Sequence, residues 1–114
     1  MKKEKRPWGF YQILLEEKYC KVKKISVSPG HCLSYQYHKE RTEDWIVILG
    51  EGRVKLDTEE YGVSPGSKVH IPRMMKHTIE NTGKKDQLVF IEVQTGKYFG
   101  EDDIVRLDDR YGRS

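Results

Sequence analysis

The sequence predicts an all-β protein, either a sandwich or a barrel, because short apolar stretches recur along it and turn residues separate them. These stretches cover residues 10–15, 22–27, 33–38, 45–49, 54–56, 69–71, 77–81 and 88–93. The separators include Pro29-Gly30, Gly50-Glu51-Gly52, Pro65-Gly66 and Thr82-Gly83. No segment of helical length has an apolar stripe repeating every 3.6 residues. At 114 residues, the chain is expected to form one domain, 1–114.

The two ends of the chain are interpreted differently from its middle. Residues 2–6 carry a cluster of basic side chains, and we interpret this cluster as a solvated terminal tail. Near the other end, Asp102 and Asp103 precede Ile104 and Val105. Because carboxylates favour a helix N-terminus, this segment could begin a short C-terminal helix.

Composition excludes several classes of protein. Lys and Arg total 21 against 18 Asp and Glu, and the net charge of +3 is too small to indicate nucleic acid binding. Cys20 and Cys32 form no C-x-x-C pair, and a disulfide-stabilised secreted domain of this size would carry more cysteines. No apolar run approaches the ~18 residues of a membrane span. We therefore expect a cytoplasmic protein without nucleic acid or membrane partners.

Side-chain alternation brings candidate metal ligands together. In an extended segment ending at His38, Gln36 and His38 lie on one face because alternate residues point the same way. A hairpin could bring Glu43 beside them, and a second hairpin could add His77. Two imidazoles, a carboxylate and an amide oxygen are suitable ligands for a divalent cation. These ligand types do not distinguish among zinc, iron, nickel, copper and manganese.

Two motifs contain these residues. The first is Gly30, Gln36-x-His38, Glu43 and Gly50, and the second is Gly66, Pro72, His77 and Asn81. Both resemble the motifs of the cupin superfamily. The segments Arg6-Pro7-Trp8-Gly9, 91–96, 100–106 and Tyr111-Gly112-Arg113 resemble the C-terminal cupin domain of type II mannose-6-phosphate isomerases, which often also carry mannose-1-phosphate guanylyltransferase activity. The resemblance implies a cupin, a double-stranded β-helix or jelly-roll barrel, here as a stand-alone chain.

The resemblance also implies an activity and its residues. It implies a metal-dependent isomerase that interconverts mannose 6-phosphate and fructose 6-phosphate by moving a proton between C1 and C2. One divalent ion would be held by Gln36, His38, Glu43 and His77, with zinc preferred over manganese, cobalt, nickel or iron. The small-molecule partner would be a hexose phosphate, and small cupins of this kind suggest a homodimer.

The catalytic and phosphate-binding residues are expected from the later part of the chain and from one arginine of the first motif. Glu92 is the preferred base, since burial between Ile91 and Val93 would raise its pKa, although it could equally face solvent. Glu101 is an alternative base whose ordinary role would be helix capping. Arg106 and Arg41 are the candidates for binding the phosphate.

Two positions depart from the pattern that the resemblance implies. Glu40 stands where a second histidine is common, and Thr78 stands where an arginine commonly follows the histidine of the second motif. These departures favour an alternative function, a non-catalytic cupin that binds a metal and a sugar for sensing or regulation. An iron-dependent oxygenase on the same fold is a third hypothesis, which the amide ligand Gln36 makes less attractive.

Overall fold

The computed structural model describes residues 2–108, and within them it contains eleven β-strands and no helix. The strands are β1 Glu4–Arg6, β2 Gly9–Glu16, β3 Cys20–Val27, β4 Tyr35–Tyr37, β5 Arg41–Leu49, β6 Gly52–Leu56, β7 Glu59–Val63, β8 Lys68–Ile71, β9 His77–Asn81, β10 Leu88–Gly96 and β11 Val105–Asp108. The described part of the chain therefore holds no helix that could span a membrane.

The strands form two sheets that enclose one core. The six-stranded sheet has the order β1-β2-β3-β10-β5-β8, and the five-stranded sheet has the order β11-β4-β9-β6-β7. All the pairings are antiparallel. Side chains from both sheets meet between them, and Val27, Val47, Val54, Ile79 and Phe90 are almost completely buried there. The predicted all-β class is confirmed.

Alternation along β5 shows how the sequence positions the site. Glu43, Trp45 and Val47 are buried, whereas Asp44 and Ile46 between them are exposed. A strand places successive side chains on opposite faces, so the glutamate enters the interior beside core residues. A polar group reaches the interior here because it lies in register with apolar neighbours on the same face.

Both ends of the chain differ from the expectation. Residues 2–6 are not a free tail, because Glu4–Arg6 form β1 and pair with β2. The prediction of a short C-terminal helix is also wrong. The carboxylate of Asp103 accepts hydrogen bonds from the backbone N–H groups of Lys39 and Glu40, at 3.0 and 2.9 Å, so it caps another loop, and β11 pairs with β4.

The outer face of the six-stranded sheet leaves some apolar side chains exposed. Ile46 and Ile48 of β5 are 38% and 47% exposed. Such a surface is compatible with a homodimer, which stays a prediction. Residues Tyr111-Gly112-Arg113 lie outside the described part of the chain.

Candidate metal centre and its pocket

Three of the predicted metal ligands lie together inside the barrel. His38 directly follows β4, Glu43 lies in β5, and His77 begins β9. One potential ligand atom from each lies within 4.8 Å of the others, and all three residues are buried. Nδ1 of His38 lies 3.5 Å from Glu43 Oε2, and Nε2 of His77 lies 3.9 Å from Glu43 Oε1. Residues from both sheets therefore form one compact cluster of potential metal ligands.

The chemistry of this cluster fits a divalent cation. Nδ1 of His77 donates to the backbone oxygen of Met75 at 2.9 Å, which leaves Nε2 with its lone pair. That Nε2 is buried and has no hydrogen-bond partner. Burial lowers the pKa of His77, and burial together with Arg41 lowers the pKa of His38 to about 3. Both imidazoles are therefore neutral near pH 7, the form that binds metal.

The fourth predicted ligand, Gln36, lies beside the cluster. Its backbone pairs with His77 on one side and with Arg106 on the other. Its Oε1 accepts a hydrogen bond from Ser34 Oγ at 2.9 Å, which fixes the orientation of the amide. Its role as a ligand stays a prediction.

Glu92 faces the interior, which is the first of the two orientations that the sequence left open. It is 4% exposed, and it accepts hydrogen bonds from Trp45 Nε1 at 3.2 Å and Gln94 Nε2 at 2.6 Å. Burial and the nearby Glu43 carboxylate raise its pKa to about 7. A carboxyl group that titrates near neutral pH can both accept and release a proton. The catalytic role assigned to Glu92 stays a prediction.

The pocket beside the cluster carries charged side chains of both signs. Its lining includes the basic residues Arg6, Lys23, Arg41 and Arg106 and the acidic residues Glu43, Glu92 and Glu101. Arg41 is almost completely buried and donates from Nε to Glu43 Oε2 and from Nη2 to His38 Nε2, at 2.9 Å each. A metal ion bound at His38 Nε2 would replace the second of these hydrogen bonds. Every candidate catalytic and phosphate-binding residue from the sequence therefore lines one pocket.

Glu101 lies at the mouth of this pocket, in the loop of residues 97–104 that we call the β10–β11 loop. Its carboxylate is 3.2 Å from Lys23 Nζ and 3.9 Å from Arg41 Nη1. Burial alone would raise the pKa of Glu101, but the charges of Lys23 and Arg41 lower it. Glu101 is therefore ionised and paired with cations near pH 7, a poorer state for a general base than that of Glu92.

Sequence reasoning missed two basic residues of the pocket, Arg6 and Lys23. It also missed the hydrogen bonds that the core residue Trp45 donates to Glu43 and Glu92. Arg6 was interpreted as part of a tail. Lys23 shares a strand face with Ile25 and Val27, all three buried. Alternation along β3 would have predicted its inward orientation, because Lys23 is two and four residues from those apolar side chains.

The two departures from the family pattern lie outside the pocket lining. The side chain of Glu40 is exposed, and its backbone N–H binds Asp103. The hydroxyl of Thr78 donates to the backbone oxygen of Leu33 at 2.7 Å. Neither side chain adds a charge or a donor to the pocket as described.

Comparison with known families identifies the chain. Residues 1–109 match the family model described as mannose-6-phosphate isomerase C-terminal. The chain belongs to this family. A protein of Pseudomonas syringae pv. tomato named alginate biosynthesis protein AlgA is 45% identical over 96% of this chain. A mannose-1-phosphate guanylyltransferase of Salmonella montevideo is 44% identical over 96% of it.

These relatives correct the predicted function. The chain spans 22% and 23% of the length of those two relatives. Several relatives are named mannose-1-phosphate guanylyltransferase, whereas the sequence predicted a stand-alone isomerase of mannose 6-phosphate and fructose 6-phosphate. That prediction is wrong, because the chain corresponds to the C-terminal cupin domain of a bifunctional enzyme family. The coarser conclusion, that its relatives are enzymes of mannose phosphate metabolism, holds.

Solved structures establish the fold. The capsular polysaccharide assembling protein CapF of Staphylococcus aureus superposes with a TM-score of 0.80 at 24% identity, over 94% of this chain and 34% of that one. The Cnp3 cupin domain of Schizosaccharomyces pombe gives 0.72 at 14% identity, over 76% of this chain and 64% of that one. The predicted cupin fold is confirmed.

Proposed function

We propose that this domain binds a divalent metal ion and a phosphorylated sugar of the mannose series, and that Glu92 moves a proton on that sugar. The observation that carries the proposal is the position of Glu92. This buried carboxyl group, with a raised pKa, lies beside the His38–Glu43–His77 cluster in a pocket that also contains four basic side chains. The family description and the names of the relatives support mannose phosphates as the substrate class.

The metal would be held by His38, Glu43 and His77, with Gln36 as the fourth ligand. We propose zinc first, because neutral imidazoles and a carboxylate suit it, with manganese, cobalt, nickel or iron as alternatives. When bound, such an ion supplies positive charge that stabilises an oxyanion developing on the sugar.

Glu92 would act as the acid–base group. Its two oxygens are already oriented, one by Trp45 and the other by Gln94. In the metal-free protein its pKa is about 7, so the carboxyl group is able to exchange a proton near neutral pH. The same group can then take up a proton from the bound sugar and release it again.

Arg41 and Arg106 would orient the substrate through its phosphate. Arginine binds phosphate through two parallel hydrogen bonds, and such pairing is strong where water is excluded. Arg41 also contacts Glu43 and His38, so one side chain would connect the phosphate to the metal ligands.

Proton exchange tests this proposal directly. Zinc-loaded protein is incubated with mannose 6-phosphate in D₂O, and NMR follows the loss of the proton at C2. The wild-type protein should catalyse this exchange, whereas Glu92→Gln, which preserves the shape and hydrogen bonding, should slow it by about 100-fold or more. Glu80→Gln is the matched control, since Glu80 is exposed on β9 and should exchange like the wild type.

Two outcomes would contradict the proposal. Exchange at the wild-type rate in Glu92→Gln would remove Glu92 from the proton transfer. Binding of the sugar phosphate without exchange, with each of the five metals in turn, would indicate a binding domain instead of an enzyme.

A further inference from the structure

Lys23 is nearly inaccessible, which is unusual for a lysine. It is 5% exposed, and its ammonium lies over the Tyr11 ring at 4.2 Å from the centroid. Its cross-strand partner in β10 is Glu92, so both side chains point into the same interior. Lysines are rarely buried unless their charge is paired. The polar partner of this ammonium in the pocket is the carboxylate of Glu101, at 3.2 Å.

Glu101 differs from Lys23 in its surroundings. Its side chain is 52% exposed and comes from the β10–β11 loop, whereas the lysine comes from the middle of a central strand. The same carboxylate oxygen is 3.9 Å from Arg41 Nη1, a buried nitrogen without a hydrogen-bond partner. One anionic group from a loop therefore lies between two cations that are fixed by the sheet.

The small size of the pocket suggests that the Glu101 carboxylate moves out when a substrate binds. The pocket is partly open to solvent and holds only about 70 Å³ of accessible space, whereas sites for small molecules measure roughly 300–1,000 Å³. A hexose phosphate would need more room than this, and the exposed loop carboxylate is easier to displace than the strand side chains around it. Its removal would take away the carboxylate next to the Lys23 ammonium and to Nη1 of Arg41, while Nε of Arg41 would keep its contact with Glu43.

We propose that Lys23 joins Arg41 and Arg106 in the phosphate subsite, and that Glu101 is a resident counter-ion of Lys23 and Arg41 which the phosphate of the substrate displaces. The loop carboxylate and the phosphate compete for the same two cations. Glu101 thus keeps the buried ammonium paired when no substrate is bound, and it lowers the apparent affinity for every anionic ligand. This inference rests on the proposed function, because it assigns the part of that pocket that recognises the phosphate.

Binding measurements with charge variants test the subsite. Mannose 6-phosphate and unphosphorylated mannose are titrated into zinc-loaded protein by calorimetry. Lys23→Met should weaken binding of mannose 6-phosphate by about tenfold or more, the loss of one charge-assisted contact, and should leave mannose unaffected. Lys23→Arg should restore binding to within about threefold. Lys24→Met, on the opposite face of β3, should bind both sugars like the wild type.

The variant Glu101→Gln shows whether the Glu101 carboxylate competes with the substrate phosphate or only stabilises the buried Lys23. If the carboxylate competes with phosphate, this variant binds mannose 6-phosphate more tightly than the wild type, by about threefold or more. Unchanged or weaker binding in Glu101→Gln would overturn the competition, and wild-type affinity in Lys23→Met would overturn the lysine assignment. Binding is read without turnover, so failed proton exchange with these affinity changes intact would reject the proposed function and leave the phosphate subsite standing.

Discussion

At the scale of single residues, the most unusual group is the carboxyl of Glu92, which is almost completely buried between hydrogen-bond donors and a second carboxylate. Trp45 donates both to Glu43 Oε1 and to Glu92 Oε2, at 3.2 Å each. The two acids therefore share one donor, and their mutual repulsion adds to the effect of burial. This arrangement favours a protonated Glu92 in the metal-free protein and makes its stability depend on pH.

The sign of that dependence follows from the pKa. The pKa of Glu92 rises from 4.5 to about 7 on folding, so between these values the folded protein holds a proton that the unfolded chain has lost. Raising the pH through this window therefore lowers the free energy of unfolding, by roughly 3 kcal/mol in full. Glu92→Gln cannot ionise, so its stability relative to the wild type should increase by roughly 2–3 kcal/mol between pH 5 and pH 7.5.

Urea unfolding of metal-free protein at the two pH values measures this difference. His38 and His77 oppose the trend, because their lowered pKa values make the folded state less stable as the pH falls. Both histidines are present in wild type and variant, so their contribution cancels in the comparison. Parallel stability curves for the two proteins would show that Glu92 does not carry a raised pKa.

At the scale of elements, the close approach of β2 and β3 depends on Gly9. This glycine has φ of +152°, and a Cβ atom built on it would lie 2.0 Å from the backbone oxygen of Ser26. The clash involves backbone on a paired strand, so the two strands would have to separate. Gly9→Ala should lower the free energy of unfolding by about 2 kcal/mol or more.

Gly62 in β7 provides the control for this substitution. A Cβ atom there would meet only the backbone oxygen of Gly52, at 3.8 Å, which is an ordinary contact. Gly62→Ala should therefore change stability by less than about 1 kcal/mol. Denaturant midpoints of the two variants make the comparison, and equal losses would refute the specific role of the β2–β3 contact.

The elements also show what the sequence could predict and what it could not. Alternation predicted that Gln36 and His38 share one face, because alternate residues of an extended segment point the same way. Both side chains are buried in the structure. It did not reveal β1, since Glu4–Arg6 has no apolar residue and is held by its backbone pairing with β2. The C-terminal helix failed for a similar reason. Asp103 caps a loop 63 residues earlier in the chain, a contact that no local pattern contains.

The candidate site was predicted better by resemblance than by composition or spacing. Alternation and the expected hairpins suggested His38, Glu43 and His77 as ligands, and the resemblance of their two motifs to cupins supported the choice. Lys23 was missed because a lysine in a strand is ordinarily exposed, and its burial depends on Tyr11 and Glu101 from distant parts of the chain. The departures at Glu40 and Thr78 looked serious in the sequence, yet both side chains lie outside the pocket lining.

At the scale of the whole molecule, the candidate metal ligands connect the two sheets. Glu43 belongs to the six-stranded sheet, whereas His77 belongs to the five-stranded one. An ion held by both requires the two sheets to be packed as they are in the native state, and the unfolded chain does not keep these ligands together. Zinc binding should therefore stabilise the entire barrel cooperatively instead of one loop.

This coupling gives a measurable increase in stability. With free zinc at 100 times its Kd, the free energy of unfolding should rise by about 2.7 kcal/mol relative to chelated protein. His77→Gln should abolish most of that increase, whereas His70→Gln should keep it, because His70 is exposed and pairs with Asp44 on the outer face. Urea unfolding of each protein with zinc and with chelator makes the test. Equal stabilisation of His77→Gln and wild type would place the zinc elsewhere, and loss of the effect in His70→Gln would assign it to the exposed pair. If zinc stabilises His70→Gln like the wild type but does not stabilise His77→Gln, the result would support zinc binding between the two sheets.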